Sequence, residues 1–271
     1  MNRRLAIRLL AAGCLLALPA SALAGGEGKS FEHSALRLLD GGRAGEGLLA
    51  GLEIRLADGW KTYWRVPGDA GVPPSFDFSA SENVASAEVL WPVPKRFEDA
   101  ETGETIGYKG KVVFPLRIRP KRAGAPVVLR LKLDYALCNE MCVPAQARLE
   151  RRLGAGEAAE RAEIESWLKK VPGKPDESLR VVRAEVRDAQ KRPVLLVTLR
   201  GKGLDEKTEI FVEGPALASF CHPRFIAAEG EEARYFLPVD GIMKAADLKG
   251  EKLKLTVISG KRRIEQEVVL P

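Results

Sequence analysis

Histidine is almost missing from this sequence: His33 and His222 are the only two in 271 residues. That count excludes a His-rich metal site or a catalytic network built on several imidazoles. Cysteine is nearly as scarce, at four residues. Beyond the extreme N-terminus, no stretch approaches the roughly 20 apolar residues of a transmembrane helix. No long basic run occurs either, so nucleic acid binding has no electrostatic support. What is present is ordinary: 45% hydrophobic and 30% charged residues. That balance rules out a disordered or collagen-like chain. At roughly 150 residues per domain, the length fits one large or two modest domains.

Residues 1–24 carry Arg3, Arg4 and Arg8, then an apolar stretch from Leu9 to Leu18 that ends at Pro19. Ala22-Leu23-Ala24 supplies a small-x-small pattern before Gly25. This is the layout of a secretory signal cleaved after Ala24. The expectation is an exported, periplasmic protein with no stable membrane insertion after cleavage. Three arginines and no acid leave with the signal, so the formal net charge of +6 falls to +3. Cys14 leaves too, and the mature chain keeps Cys138, Cys142 and Cys221. An odd number of thiols in an oxidising compartment points to one unpaired cysteine or to pairing with another protein. Cys221 reads as a buried free thiol.

From Ser34 to about Leu153 the pattern is short period-two runs separated by turns. Strands are expected at Ser34–Leu39, Leu48–Leu56, Trp60–Val66, Val84–Trp91, Val112–Ile118, Val127–Leu133 and Ala147–Leu153. Asp40-Gly41-Gly42 reads as a break, Pro67–Pro74 as irregular, and the polar, acidic segment Phe97–Gly110 as an excursion or long loop. Residues 157–169 switch to apolar spacing of three or four, which predicts a short helix, stopped by Pro172-Gly173-Lys174-Pro175. Short strands return from Leu179 to Leu270, with Ser259-Gly260 marking a last hairpin turn. The fold expected is all-β: two immunoglobulin-like antiparallel sandwiches joined by a short helix. The boundaries are 25–153, a linker 154–177, and 178–271. Trp60, Tyr63, Trp64 and Trp91 read as packing residues. His33 and His222 read as surface or satisfied residues.

The segment that carries chemistry is Asp134–Pro144, with Cys138 and Cys142 separated by three residues. In a straight strand residues i and i+4 lie about 13 Å apart, too far for the 4.4–6.8 Å between the Cα atoms of a typical disulfide. If the two are bonded, the strand must end near Cys138 and the chain must turn through Asn139–Met141. A ring of five residues contributes about 2 kcal/mol as a staple, against roughly 5 for a loop of about 100 residues. A short pair on a loop is better suited to exchange with another thiol. The residues leave three readings open: a redox-active pair, a structural bond, or a Cu(I) site using Cys138, Met141 and Cys142.

Four stretches now matter together: Gly59–Gly68 (GWKTYWRVPG), Trp91–Phe97 (WPVPKRF), Ile106-Gly107-Tyr108, and the cysteine segment. They resemble the N-terminal periplasmic domain of the DsbD/ScsB thiol:disulfide interchange family, over about residues 30–153. The resemblance implies a redox-active pair, Cys138 and Cys142, that passes reducing equivalents between a membrane thiol reductase and thioredoxin-fold periplasmic proteins. By that pattern Cys142 forms the mixed disulfide and Cys138 resolves it. A cap loop shields the pair in the family. Phe97–Tyr108 lies at the matching place, with Phe97 and Tyr108 as shielding candidates and Glu98 and Asp99 as proton acceptors. No cofactor or metal is implied, although ScsB-like systems are associated with copper tolerance. The cysteine spacing is shorter here than in the DsbD domain. No thioredoxin-like Cys-x-x-Cys domain follows, so a separate polypeptide is expected to supply the electrons.

Overall fold

In a computed structural model, residues 28–68, 71–99, 103–154, 158–189 and 192–271 are described. The expected signal segment lies outside them. Eleven strands form a first set: β1 (Lys29–Phe31), β2 (Ser34–Ala44), β3 (Gly47–Leu56), β4 (Lys61–Gly68), β5 (Ser75–Asp77), β6 (Val84–Val89), β7 (Lys95–Asp99), β8 (Gly103–Lys109), β9 (Lys111–Pro120), β10 (Val127–Cys138) and β11 (Cys142–Leu153). They make two antiparallel sheets, in the orders β1-β2-β3-β9-β6 and β11-β10-β4-β8-β7, with β5 paired to β10. The helix α1 (Arg161–Leu168) follows. A second set comprises β12 (Leu179–Arg187), β13 (Val194–Gly201), β14 (Glu209–Glu213), β15 (Ser219–Phe220), β16 (Arg224–Glu229), β17 (Glu232–Asp240), β18 (Lys252–Ser259) and β19 (Arg262–Val269). It forms the sheets β12-β13-β17-β15, with β16 also on β17, and β14-β18-β19.

Alternation explains the layers. Along β10, Val127, Leu129, Leu131, Leu133, Tyr135 and Leu137 bury one face and meet Leu36, Leu52, Ile54, Phe114 and Leu116 of the facing sheet. A period of two puts every second side chain on the same side. The second sandwich buries Val197, Leu199, Tyr235, Leu237, Leu253, Leu255 and Val257 in the same manner. Helix α1 is amphipathic only in outline: Ile164 is its one fully buried residue and packs on Leu39, Leu49 and Val113.

Three sequence expectations change. Asp40-Gly41-Gly42 does not end a strand; β2 runs through it with a register shift between Asp40 and Arg43. Gly42 takes the positive φ of +70° there, a conformation that glycine accepts in a bulge. Of the two readings of Phe97–Gly110, its described residues are not a long loop: β7 and β8 pair antiparallel, with Phe97 opposite Thr105. Its polar, acidic composition hid a ladder whose partner strand is central to the sheet. The short strands β15 and β16, outside the expected set, both pair with β17.

The two sandwiches are joined by buried polar contacts as well as by the linker. Arg96, with a side chain only 6% exposed, pairs with Glu104 and Glu209. It also donates to the Ile210 carbonyl at 2.7 Å and lies 4.4 Å over the Phe211 ring. Arg65 pairs with Glu213 at 2.6 Å and with Glu265, stacked 4.3 Å over Trp64. Phe211 itself enters the core of the first sandwich. Strands β4, β7 and β8 of the sheet that carries the cysteines are therefore the ones clamped to the second sandwich.

Candidate functional site

The site is the mouth of the hairpin β10–β11. The ladder runs without a register shift from Val127 opposite Leu153 to Cys138 opposite Cys142. The chain reverses through Asn139–Met141, and a disulfide joins Cys138 to Cys142 with Cα atoms 4.1 Å apart. The strand ends at Cys138 and the turn brings the sulfurs together, which is the condition the spacing imposed. Cys138 is 4% exposed, whereas Cys142 is exposed. The bond thus joins a buried residue to an exposed one.

Surroundings reinforce that asymmetry. Cys138 clusters with Tyr63 and Ala136, apart from the main core. Since residues two apart share a face, these side chains occupy the outer face of the sheet, opposite the layer where Trp64, Tyr135 and Leu137 pack. The Tyr63 hydroxyl lies 3.1 Å from Cys142 Sγ. A disulfide sulfur has no hydrogen, so the phenol donates. Burial raises the Tyr63 pKa above its usual value, which keeps that proton in place. Tyr63 is 1% exposed although it stands on an outer face. Gly71 lies over it: a Cβ there would meet the Pro67 Cβ at 2.3 Å and the Tyr63 ring at 2.8 Å.

The rim of the site is built by a second turn. Gly59 adopts a φ of +82° between Asp58 and Trp60. That left-handed turn sets the backbone against the Asn139 side chain, with 3.4 Å to an added Cβ. Trp60 then stacks on His33 at 3.7 Å. Met141, 71% exposed, and Val143, 36% exposed, flank Cys142 with apolar surface.

Of the expected site residues, the structure joins Cys138 and Cys142. Cys138 shares a row with Lys61 and Lys109 across the sheet. Phe97 sits opposite Thr105, four residues along β8 from Lys109. Its ring lies 4.8 Å from Lys109 Nζ. Glu98 is exposed and opposite Glu104. The Asp99 side chain lies outside the described residues. Tyr108 is buried, donates to the Pro92 carbonyl at 2.7 Å, and packs edge-on against Phe114. No hydrogen bond, ion pair or ring contact of Phe97, Glu98 or Tyr108 is with the cysteine pair. The contact missed from sequence is Tyr63, which aromatic packing alone seemed to explain. Its signal was available: on β4 it alternates with Trp64, so one of the two had to leave the core. Cys221 is half-buried and not fully buried, and its thiol donates to Asp240 at 3.2 Å. Among the described residues, no three His, Cys, Asp or Glu side chains converge as metal ligands. No helix among them is long and apolar enough to cross a membrane.

Comparison with known proteins agrees with this geometry. Residues 37–153 match the family described as thiol:disulfide interchange protein DsbD, N-terminal. Residues 170–271 match a domain of unknown function, DUF8393. Among solved structures, the N-terminal periplasmic domain of ScsB from Proteus mirabilis is similar, with a TM-score of 0.73 and 22% identity. That likeness covers 90% of this chain and 96% of that one, so it extends the shared fold across both sandwiches. No curated protein matches the sequence.

Proposed function

We propose that this protein, whose residues 37–153 match the model of DsbD N-terminal domains, is a periplasmic thiol:disulfide interchange protein. In this reading it passes reducing equivalents between a membrane thiol reductase and thioredoxin-fold partners through Cys138 and Cys142. Residues 25–153 form the redox domain, 154–177 the linker and 178–271 a second sandwich. One observation carries the reading: the bond joins a buried residue, Cys138, to an exposed one, Cys142, at the mouth of a hairpin. Exchange requires that a partner reach the pair, and Cys142 is the residue at which it can.

The chemistry balances as follows. In the reduced protein the Cys142 thiolate attacks one sulfur of an oxidised partner, forming a mixed disulfide and expelling the partner's other sulfur as a thiolate. Cys138, losing its proton, then attacks Cys142 Sγ. The Cys138–Cys142 bond forms, the mixed disulfide breaks, and the partner leaves as a dithiol after taking up two protons. Two electrons have moved from this protein to its partner. The reductase reloads the pair by the same steps in reverse, attacking Cys142 Sγ first. Tyr63, donating to that sulfur, stabilises the thiolate whenever Cys142 attacks or leaves.

The direct test is equilibration of the oxidised protein with reduced thioredoxin. An exchanging pair is reduced and shows a potential above about −300 mV; a structural bond sits below that value and resists while the protein stays folded. Resistance of the folded protein overturns the proposal.

A further inference from the structure

Apart from Met1, the chain has two methionines, Met141 and Met243. Both are exposed, at 71% and 88%. A methionine ordinarily fills an irregular gap in a core, and neither does so here. Their settings differ. Met141 lies in the turn between the bonded Cys138 and Cys142, and its carbonyl accepts from the Asn139 N–H at 3.3 Å. Turns favour Gly, Asn, Asp and Ser, so the fold does not call for a thioether at this place. Val143, 36% exposed, follows Cys142. Val72, 55% exposed, follows Gly71, which lies over the ring of Tyr63, and the Tyr63 hydroxyl is 3.1 Å from Cys142 Sγ. Exposed apolar side chains from two distant stretches thus gather at the mouth of β10–β11. Met243 belongs to the second sandwich, between β17 and β18, where its N–H donates to Asp247 at 3.1 Å.

Exchange brings a second protein onto this surface. In a mixed disulfide the two sulfurs lie about 2 Å apart, and the Cα atoms of Met141 and Cys142 are about 3.8 Å apart. Residues beside the partner's cysteine therefore close over Met141 and Val143. An apolar thioether is buried by that approach without a polar group losing its water. Oxidation to the sulfoxide makes the same side chain polar, and its oxygen then loses hydrogen bonds to water when the partner closes. The cysteine pair keeps no such mark. Peroxide turns a Cys142 thiolate into a sulfenic acid, and the Cys138 thiol condenses with it, releasing water and restoring the ordinary disulfide. The disulfide itself offers no thiolate to attack. Met141 is the side chain at this mouth on which oxidation persists until a methionine sulfoxide reductase removes it.

We propose that Met141 is an oxidation switch: hydrogen peroxide converts its thioether to the sulfoxide, and the sulfoxide weakens the approach of a protein partner to Cys142. The step balances. The peroxide O–O bond breaks and an S–O bond forms at Met141 Sδ. The thioether is oxidised by two electrons and the peroxide is reduced to water. The fold and the disulfide are untouched, because the Met141 side chain is exposed and its tie to the turn runs through the backbone carbonyl. This inference rests on the exchange reading above and adds to it a means by which an oxidant turns exchange down.

The test uses the full mature chain with its cysteine pair oxidised. One sample is treated with hydrogen peroxide until mass spectrometry shows sulfoxide at Met141, and one is left untreated. Each is reduced by reduced thioredoxin, which has to dock, and by dithiothreitol, which does not. The sulfoxide slows reduction by thioredoxin at least about fivefold, the effect of burying one unsatisfied polar group, and leaves the rate with dithiothreitol unchanged. In Met141→Leu the same treatment still oxidises Met243 but leaves the thioredoxin rate as it was in that variant before treatment. An unchanged thioredoxin rate in the parent with Met141 fully oxidised overturns the switch and leaves the exchange reading intact. Equal slowing with both reductants also overturns it, since the sulfoxide would then act on the bond and not on docking. Equal slowing in the parent and in Met141→Leu assigns the effect to Met243 or Cys221 and overturns it as well. Sulfoxide at Met243 with none at Met141 removes the accessibility on which the switch depends. An untreated protein that dithiothreitol reduces and thioredoxin does not overturns the exchange reading and the switch with it.

Discussion

The hairpin β10–β11 of the first sandwich and the hairpin β18–β19 of the second each end a sheet with a long antiparallel ladder, but they finish it differently. In the second, Ser259 pairs with Arg262 around a two-residue turn, with Gly260 at a φ of +59°. That glycine-first pattern matches the twist of the strands. Its outer edge is covered, since the Gly173 N–H donates to the Arg263 carbonyl at 3.0 Å and the Glu265 N–H donates to Gly173 at 2.8 Å. The Gln266 side chain bonds the Val181 backbone as well. In the first, the turn is one residue longer, a disulfide replaces the tight glycine turn, and among the described residues no strand pairs with the outer edge of β11. Unpaired edges are a liability that proteins ordinarily cover. The difference teaches that, among the described residues, the fold covers the edge where its two sandwiches meet and pairs no strand with the one beside the disulfide.

Cysteine substitution gives the largest effect and breaks the comparison most directly. Cys142→Ser abolishes all mixed disulfide with a thioredoxin-fold partner, because the sulfur of the exposed residue is gone. Cys138→Ser accumulates it with a thioredoxin whose second active-site cysteine is serine, because neither side then holds a resolving thiol. Non-reducing gels of the two variants, each charged as a thionitrobenzoate mixed disulfide and then mixed with that reduced thioredoxin variant, check this. Equal trapping by both would make the exposed and the buried cysteine equivalent and remove the contrast between the hairpins. Neither change costs much stability, since the five-residue ring contributes about 2 kcal/mol at most.

The covered hairpin belongs to a sandwich whose role at the site is clamping, and Arg96→Ala probes it. The guanidinium, 6% exposed, serves Glu104 and Glu209 at once. Breaking a buried pair by removing one partner costs about 3–5 kcal/mol. Urea titration should show that loss, together with separate transitions for the two sandwiches. A single cooperative transition at unchanged midpoint would mean that the interface is not what holds β7 and β8.

The sequence made most of the ladders legible because one face of each is buried and alternation survives in the letters. The cysteine mouth was legible for a further reason: a four-residue separation permits bonding only if the chain turns. The hairpin β7–β8 was not, because its partner strand buries Thr105, Ile106, Gly107 and Tyr108 consecutively, so no alternation appears. The helix at 161–168 could be read from spacing, but its hold on the sheet through Glu163 and Glu160 could not. Which charges meet depends on strands more than 100 residues away. Tyr63 was read as core because nothing local says that Gly71 comes back over it on an outer face.

Acid separates the two sandwiches. Glu53, 1% exposed, lies in the first. Burial alone would raise its pKa, but hydrogen bonds from Arg37 and Arg55, with their positive charges, hold it down to about 2. Among the described residues, the buried polar side chains of the second sandwich are Thr208, Thr256 and Ser259, with no carboxylate. A carboxyl with a depressed folded pKa contributes stability that is fully present above its unfolded value near 4.5 and lost as pH falls towards 2. The expected loss in the first sandwich is about 3 kcal/mol across that window. Urea midpoints measured between pH 5 and pH 2 check it, and Glu53→Gln should flatten the slope. An equally steep slope in the variant would assign the acid sensitivity to other groups.

The smallest expected effect tests whether the open mouth is tuned or merely exposed. Tyr63→Phe keeps the ring that fills the space beneath Pro67 and Gly71 and removes only the hydroxyl. The fold should hold, since the lost bond is a single one to a weakly accepting sulfur in the oxidised state. The reduced state differs. A hydrogen bond to a charged group is worth about 1.5–3 kcal/mol, and that stabilisation favours the Cys142 thiolate over the thiol. Without it the Cys142 pKa should rise by roughly one unit or more. At neutral pH a thiol that titrates higher is less ionised, so exchange slows by up to about tenfold; the higher nucleophilicity of the more basic thiolate returns part of that. Thiolate absorbance against pH in the reduced protein measures the shift, and the same titration with Cys142→Ser assigns it to this sulfur. An unchanged titration with unchanged exchange would show that the Tyr63 hydroxyl only packs against the bond. Cys142 would then be distinguished from the closed hairpin of the second sandwich by its exposure at the mouth of β10–β11, without electrostatic help from the phenol.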